Sequence, residues 1–245
     1  ALTGRTPRYG HHLDAQRRGT KRFRLGAAPR DLAEWGALGG LIGEACGSYW
    51  EVPVVEGLSA VPGSDALKHF GAALASFGSV ALFHMPPVTA GTADETAAAP
   101  AAAAAIGRGD IDAFLARYAA PGDKLDIVVF AAPQLSLFEI ERVADGLDGR
   151  RIHPEVTVVV ATSPEVKHAA DRLGLTRRIE AAGAIVAAGI CFYQSYAREM
   201  AERNGWVRLL TNSAKLVNIL GGYGYRPSLS SLERCLASAV AGRIV

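Results

Sequence analysis

Two kinds of side chain in this sequence could do chemistry at one place. Thr211, Asn212, Ser213 and Lys215, in the run TNSAK, bring two hydroxyls, an amide and an ammonium close together. Such a set can hold the carboxylate or phosphate of a small molecule, helped by the free N–H groups of a helix start, and the same residues can simply cap that helix. Upstream, Cys191 follows the small apolar run AGAIVAAGI and offers a thiol as metal ligand or nucleophile. Cys235, beside Glu233 and Arg234, has the same option, and a buried packing role is open to both. No two cysteines stand as C-x-x-C, so a tetrahedral zinc site from this chain alone is not expected, while a cluster held by distant cysteines stays open. Tyr9, His11, His12 and His84 form a third group. A histidine where a strand ends serves as a hydrogen-bonded structural group as well as a catalyst. Gly39, Gly40 and Gly43, and Gly221-Gly222-Tyr223-Gly224, do not give G-x-G-x-x-G after a strand, which argues against a nucleotide site.

The elements that must position these groups follow from the hydrophobic pattern. Residues 1–30, rich in Gly, Arg and Pro, read as an extended arm or connection. Asp31 caps a predicted helix from Leu32 to about Ala45, Val52–Val55 is a short strand, and Ser64 caps a helix to about Phe77. Ser79–Phe83 reads as a buried strand ending at His84. From Pro86 to Ile106 the composition falls to Pro, Thr, Gly and Ala, which predicts a loop, a weak helix and a hinge. The pattern then predicts a helix over Asp110–Tyr118, a strand over Leu125–Ala131, and a helix capped by Ser136 with Glu139 completing a reciprocal capping box. A strand (Val156–Ala161), a helix (Glu165–Leu173), a strand (Ala184–Ala188), a helix (about Tyr196–Arg203), a strand (Trp206–Leu210) and a last helix (Ser230–Ala241) follow. Strands alternating with helices argue for an α/β fold of doubly wound, mostly parallel sheets, in two units, 31–107 and 108–245. TNSAK and Cys191 would then stand at strand carboxyl ends, where such sheets hold ligands.

Bulk composition narrows the function classes. The chain has 245 residues, 49% hydrophobic and 20% charged, with a formal charge of +2. Its arginine-rich start lacks the interleaved aromatic residues of a nucleic-acid platform, so no nucleic-acid partner is expected. No apolar run approaches membrane-spanning length, and three scattered cysteines suit a reducing cytoplasm rather than a secreted disulfide framework. The opening ALTGRTPRYGHH, without methionine, reads as entry partway through a longer protein.

TGRTPRYGHHL, ALFHM, LFEIERVADGLDGRRIHP, TSPEVKHAADRLG, EAAGAIVAAGICFY, LLTNSAK and ERCLASAVAG together resemble the large subunit of the aconitase X family, in order and over nearly the whole chain. The resemblance implies an aconitase-like fold and a hydro-lyase component that removes water from a small hydroxy acid such as cis-3-hydroxy-L-proline or 5-phosphomevalonate. It also implies an iron–sulfur or iron centre held by three cysteines. Cys191 and Cys235 match two of them; the third lies in a family region that this chain does not contain. Cys46 matches no motif and is expected to be structural. The implied partner is a small swivelling-domain subunit, which carries the family's serine base, so no general base is assigned within this chain. Thr211, Asn212, Ser213 and Lys215, with Tyr9, His12 and His84, would bind the substrate. The chain departs from the family at Pro133-Gln134, where many members have Pro-His, and after TNSAK, where LVNIL and GGYGY replace an aromatic, histidine-rich run. These departures imply a divergent branch with another hydroxy acid as substrate, and the competing class is a non-catalytic carboxylate-binding subunit or inactive remnant.

Overall fold

The computed structural model describes residues 2–245. Its first sheet has three parallel strands, β1 (Lys21–Leu25), β2 (Pro53–Glu56) and β3 (Ala104–Ile106), in the order β2–β1–β3. The central strand, β1, lies in the stretch expected to be an extended arm. Its alternation explains the difference: Phe23 and Leu25 enter the core, while Arg22 and Arg24 face Glu56 on the other side. The expected hinge is likewise pinned. Arg22 donates to the carbonyls of Thr96, Ala99 and Pro100, which clasps the short helix α3 (Ala93–Ala97) and the following turn against β1. Ser79–Phe83 is not a strand. The chain leaves its helix through Ser79 at φ +57° and pairs only at His84, which bridges Val54 on the outer edge of β2.

Helices α1 (Leu32–Cys46) and α2 (Ser64–Gly78) cover the apolar face of this sheet. Asp31 caps α1 as expected; Gly63, rather than Ser64, precedes α2. The two helices touch backbone to backbone. A Cβ at Gly39 would overlap the Phe70 carbonyl oxygen, and one at Gly43 would stand 2.8 Å from that of Leu74, so these glycines serve packing. Helix α4 (Arg108–Arg117), assigned from sequence to the second unit, sends Ile111 and Phe114 into this first core, and Arg108 pairs with the buried Glu34 of α1 at 2.7 Å.

The second sheet has five parallel strands, β4 (Ile127–Leu135), β5 (Thr157–Thr162), β6 (Ile185–Ala188), β7 (Arg208–Thr211) and β8 (Arg226–Leu229), in the order β6–β5–β4–β7–β8. Both faces are buried, as near-continuous apolar strands require. Val128 and Phe130 face a core shared with α5 (Leu137–Gly146), α6 (Pro164–Arg172), α7 (Leu175–Ala181) and α10 (Leu232–Ala241). Ile127, Val129 and Ala131 face the opposite core, with α8 (Ala197–Asn204) and α9 (Ala214–Leu220). The expected capping box of Ser136 and Glu139 starts α5.

Helix α9 joins the two halves. Leu216 and Leu220 pack on the second sheet, whereas Ala214 and Val217 complete the core of the first. A Cβ at Gly36 would stand only 2.8 Å from the methyl of Ala214, so α9 begins beside the amino-terminal part of α1.

Candidate functional site

From β4 the chain winds first to β5 and β6 on one side and then crosses to β7 and β8 on the other, so β4 and β7 flank the switch point of the sheet. Parallel sheets leave a crevice at the carboxyl ends there. At the end of β4 the register breaks between Phe130 and Leu135, where Ala132 (φ +49°) precedes a cis bond to Pro133. The end of β7 is TNSAK. Ser213 Oγ donates to the Ala132 carbonyl at 2.7 Å and accepts from Leu216 N–H, and the Ser213 N–H donates to Thr211 Oγ1. Thr211, Asn212 and Ser213 are buried and Lys215 is half-buried. The strand-end motif therefore caps its own helix and anchors the β4 irregularity. Because α9 has only seven residues and Ser213 already occupies the Leu216 N–H, the Lys215 ammonium, not the helix start, is the group left for an anion.

A third loop reaches this crevice from β6. Gln134 Nε2 donates across to the Ile190 carbonyl at 3.0 Å, and Cys191 follows, half-buried. Lys215 Nζ stands 5.7 Å from the centre of the Tyr193 ring, which itself packs against Tyr223 at 6.5 Å between centroids. Burial, and then contact with Cys191, raise the Tyr193 hydroxyl above its ordinary range, so it remains a proton donor at neutral pH. Tyr193 thus lies in reach of both Cys191 and Lys215, Gln134 is tied to the same loop, and Ser213 caps the helix from which Lys215 projects. Sequence reasoning reached Cys191, Ser213 and Lys215; it noted Gln134 only as a departure from a family pattern and missed Tyr193, whose sole signal was its place two residues beyond the cysteine.

Tyr9, His12 and His84 are not brought to this crevice. They sit around the amino end and outer edge of the first sheet, past the end of α1. Tyr9 is exposed and packs edge-on to Trp50, with ring centroids 6.1 Å apart, and His12 is exposed. His11 is tied by both ring nitrogens to the carbonyls of Gln16 and Tyr49. His84 is buried, its Nε2 hydrogen-bonded to the Arg17 carbonyl at 2.6 Å, which makes it a fastener for the opening segment.

Nor do the cysteines assemble a metal site. Cys235 is fully buried on α10, in the core on one face of the second sheet; its sulfur lies 3.9 Å from the Ser230 carbonyl and burial pushes its thiol far up. Ile190 and Phe192, which flank Cys191, pack into the core on the other face. Among the described residues no three His, Cys, Asp or Glu side chains are grouped to hold a metal ion. Cys191 and Cys235, on opposite faces of the sheet and one of them sealed, do not fit a shared iron centre. Cys46 is buried and its thiol is raised to about 11, first by burial, as a structural cysteine should be. Among the described residues no helix is long and apolar enough to cross a membrane.

Residues 19–116 match the family model for the aconitase X second domain, and residues 125–241 match that for the aconitase X third domain. Cis-3-hydroxy-L-proline dehydratase of Pseudomonas aeruginosa is 34% identical over 253 residues, covering 99% of this chain and 43% of that protein. The phosphomevalonate dehydratase large subunit of Methanothermobacter thermautotrophicus is 33% identical over 222 residues, covering 91% and 53%. The crystal structure of Thermococcus kodakaraensis aconitase X in its holo-form matches with a TM-score of 0.81 at 26% identity, over 98% of this chain and 60% of that one. The chain spans about half the length of the curated relatives it matches. With both domain models matched in order along the chain, a parallel-sheet fold shared with that crystal structure and dehydratases among its relatives, this chain belongs to the aconitase X family.

Proposed function

We propose that this chain is the substrate-anchoring component of a hydro-lyase that removes water from a small hydroxy acid, of the class represented by cis-3-hydroxy-L-proline and 5-phosphomevalonate. The observation that carries the proposal is the Lys215 ammonium: it is half-buried at the switch point, over the Tyr193 ring, and no carboxylate of the described residues forms an ion pair with it. A cation held in that way is available to a substrate anion. In the elimination, a base takes the proton next to the carboxylate, a carbon–carbon double bond forms, and the C–O bond breaks while an acid of the completed site gives the departing hydroxyl a proton, so that it leaves as water. Negative charge grows on the carboxylate as the proton leaves, so Lys215 stabilises the transition state more than the ground state. Ser213, with Thr211 and Asn212 buried beside it, fixes the backbone from which Lys215 projects.

No base is assigned within this chain; the family's serine base and small swivelling-domain partner are proposed to complete the site in a reducing, cytoplasmic setting. The iron–sulfur or iron centre expected from the resemblance finds one accessible thiol here, Cys191. A second reading, a carboxylate-binding subunit with no metal centre of its own, is favoured by one observation, the sealed position of Cys235.

The test is turnover by the complex formed with a co-expressed small-domain partner, offered each hydroxy acid in turn. Loss of one hydroxy acid with wild type, and kcat/KM reduced about 10- to 100-fold by Lys215→Met, is expected for a lost charge-assisted contact to the substrate. Carboxylate binding that depends on Lys215 without any turnover would instead establish the second reading.

A further inference from the structure

The first turns of α2 and α5 meet between the two sheets in a cluster of charge that the proposed reaction does not use. The Glu139 carboxylate, 2% exposed, accepts from Ser136 N–H at 2.9 Å, from His69 Nε2 at 2.8 Å and from the Lys68 ammonium. Contact with a carboxylate oxygen makes His69 Nε2 the donor, and its Nδ1 is buried without a partner. A capping glutamate requires only the Ser136 N–H; the two α2 side chains are additional. Asp65 flanks them, 3.1 Å from Lys68 and bonded to Ser136 Oγ at 2.9 Å.

Lys68 has one more bond, and it leads to the crevice. Its ammonium donates to the Gln134 carbonyl at 3.1 Å, and the Gln134 amide donates to the Ile190 carbonyl, next to Cys191. This stretch of β4 lies where the ladder with β5 is interrupted, so bonds from outside the sheet must hold it. We propose that Lys68 is a positioning residue for the crevice: clamped by Glu139, it fixes Gln134, and Gln134 fixes the loop that carries Cys191 and Tyr193 beside Lys215. The role in substrate handling rests on the reading of this crevice as the substrate site; the role in holding the loop does not.

The experiment is alkylation of the native chain with iodoacetamide, read at each cysteine by peptide mass spectrometry. Cys46 and Cys235 are buried and act as internal controls. Lys68→Met and Gln134→Leu should each speed labelling of Cys191 about tenfold, the factor that one lost hydrogen bond makes in a local opening equilibrium, with the other two thiols unchanged. Lys68→Arg, which keeps the donors, should return Cys191 to within about twofold of wild type. Unchanged labelling of Cys191, or a rise shared by all three thiols, overturns the proposal. Gln134→Leu removes only the crevice-side bond, and unchanged labelling of Cys191 in that variant overturns the proposal even where Lys68→Met does not fold. Because labelling needs no turnover, a loosened Cys191 loop with unaltered KM and kcat for a hydroxy acid would sustain the positioning role and count against the crevice as substrate site.

Discussion

Replacing Gly39 by alanine should destabilise this protein, although alanine is the better helix former. In an exposed helix interior the exchange gains about 1 kcal/mol. At Gly39 the new methyl overlaps the Phe70 carbonyl oxygen and comes within 3.0 Å of its carbonyl carbon and 3.1 Å of its Cα. These are backbone atoms of α2, which cannot turn aside as a side chain can, so α1 and α2 must separate. Overpacking of this kind costs about 1–3 kcal/mol, and a rigid obstacle puts it at or beyond the upper end. The net loss is then about 2 kcal/mol, which for a chain of this size lowers the melting temperature by about 4–8 °C. Gly71→Ala is the matched control. Gly71 lies in α2, half-buried, and a Cβ there meets only Phe83 Cε1 at 3.6 Å, an ordinary contact, so this variant should gain about 0.5–1 kcal/mol. Thermal melts followed by far-UV circular dichroism give both signs in one series. A Gly39→Ala protein as stable as wild type, beside a Gly71→Ala protein that behaves as expected, would refute the claim that backbone contact sets the spacing of these helices.

The remaining predictions are shorter. Glu139 is held at about 2: burial alone would raise it, and His69 and Lys68 more than offset that. A carboxyl depressed in the folded state contributes its stability fully above the unfolded value of about 4.3 and loses it as pH falls through about 2, so a contribution on the order of 3 kcal/mol should fade between about pH 5 and pH 2. Denaturant titrations across that range should show a slope in wild type that Glu139→Gln flattens. A thiol assay on the native chain should count one readily titrated cysteine, Cys191, and three after denaturation; a second fast thiol would contradict the burial of Cys235 and Cys46. Arg22→Met should free the carbonyls of Thr96, Ala99 and Pro100, and limited proteolysis should then cut first within residues 96–104, a segment that stays resistant in wild type if the clasp is as described.

What could be read from the sequence and what could not have separate physical causes. Strands β4 to β7 were legible because a sheet buried on both faces leaves uninterrupted runs such as VTVVVAT, and the start of α5 because Ser136 and Glu139 carry a two-way cap. Strand β1 was hidden by its arginines, since a strand with one ionic face has few apolar residues to count. Strand β8 was hidden by Pro227, tolerated at an edge, and β3 by its alanines. SVALF looked like a strand for its apolar residues, but the pairing with a strand begins only at His84. That TNSAK and Cys191 follow the carboxyl ends of strands was legible, because the apolar runs before them mark those strands. The motif resemblance that singled out Cys235 held no information on burial, and the fold seals that residue in a core. Lys68 was invisible, because its importance depends on a helix and a loop brought together over more than sixty residues of intervening chain.

The sharing of α9 between two cores bears on how the chain is made. The family models part the chain after residue 116, yet the first sheet's core is finished by Ala214, Val217 and Leu229. As synthesis proceeds from the amino end, the first unit emerges with its helices and strands present but with an apolar hollow where α9 will lie. It must wait, exposed, until nearly the whole second unit has been translated. A nascent chain in that state is a natural client for chaperones that shield apolar surface, and a gene truncated at the apparent boundary would yield a product that remains permanently in that state.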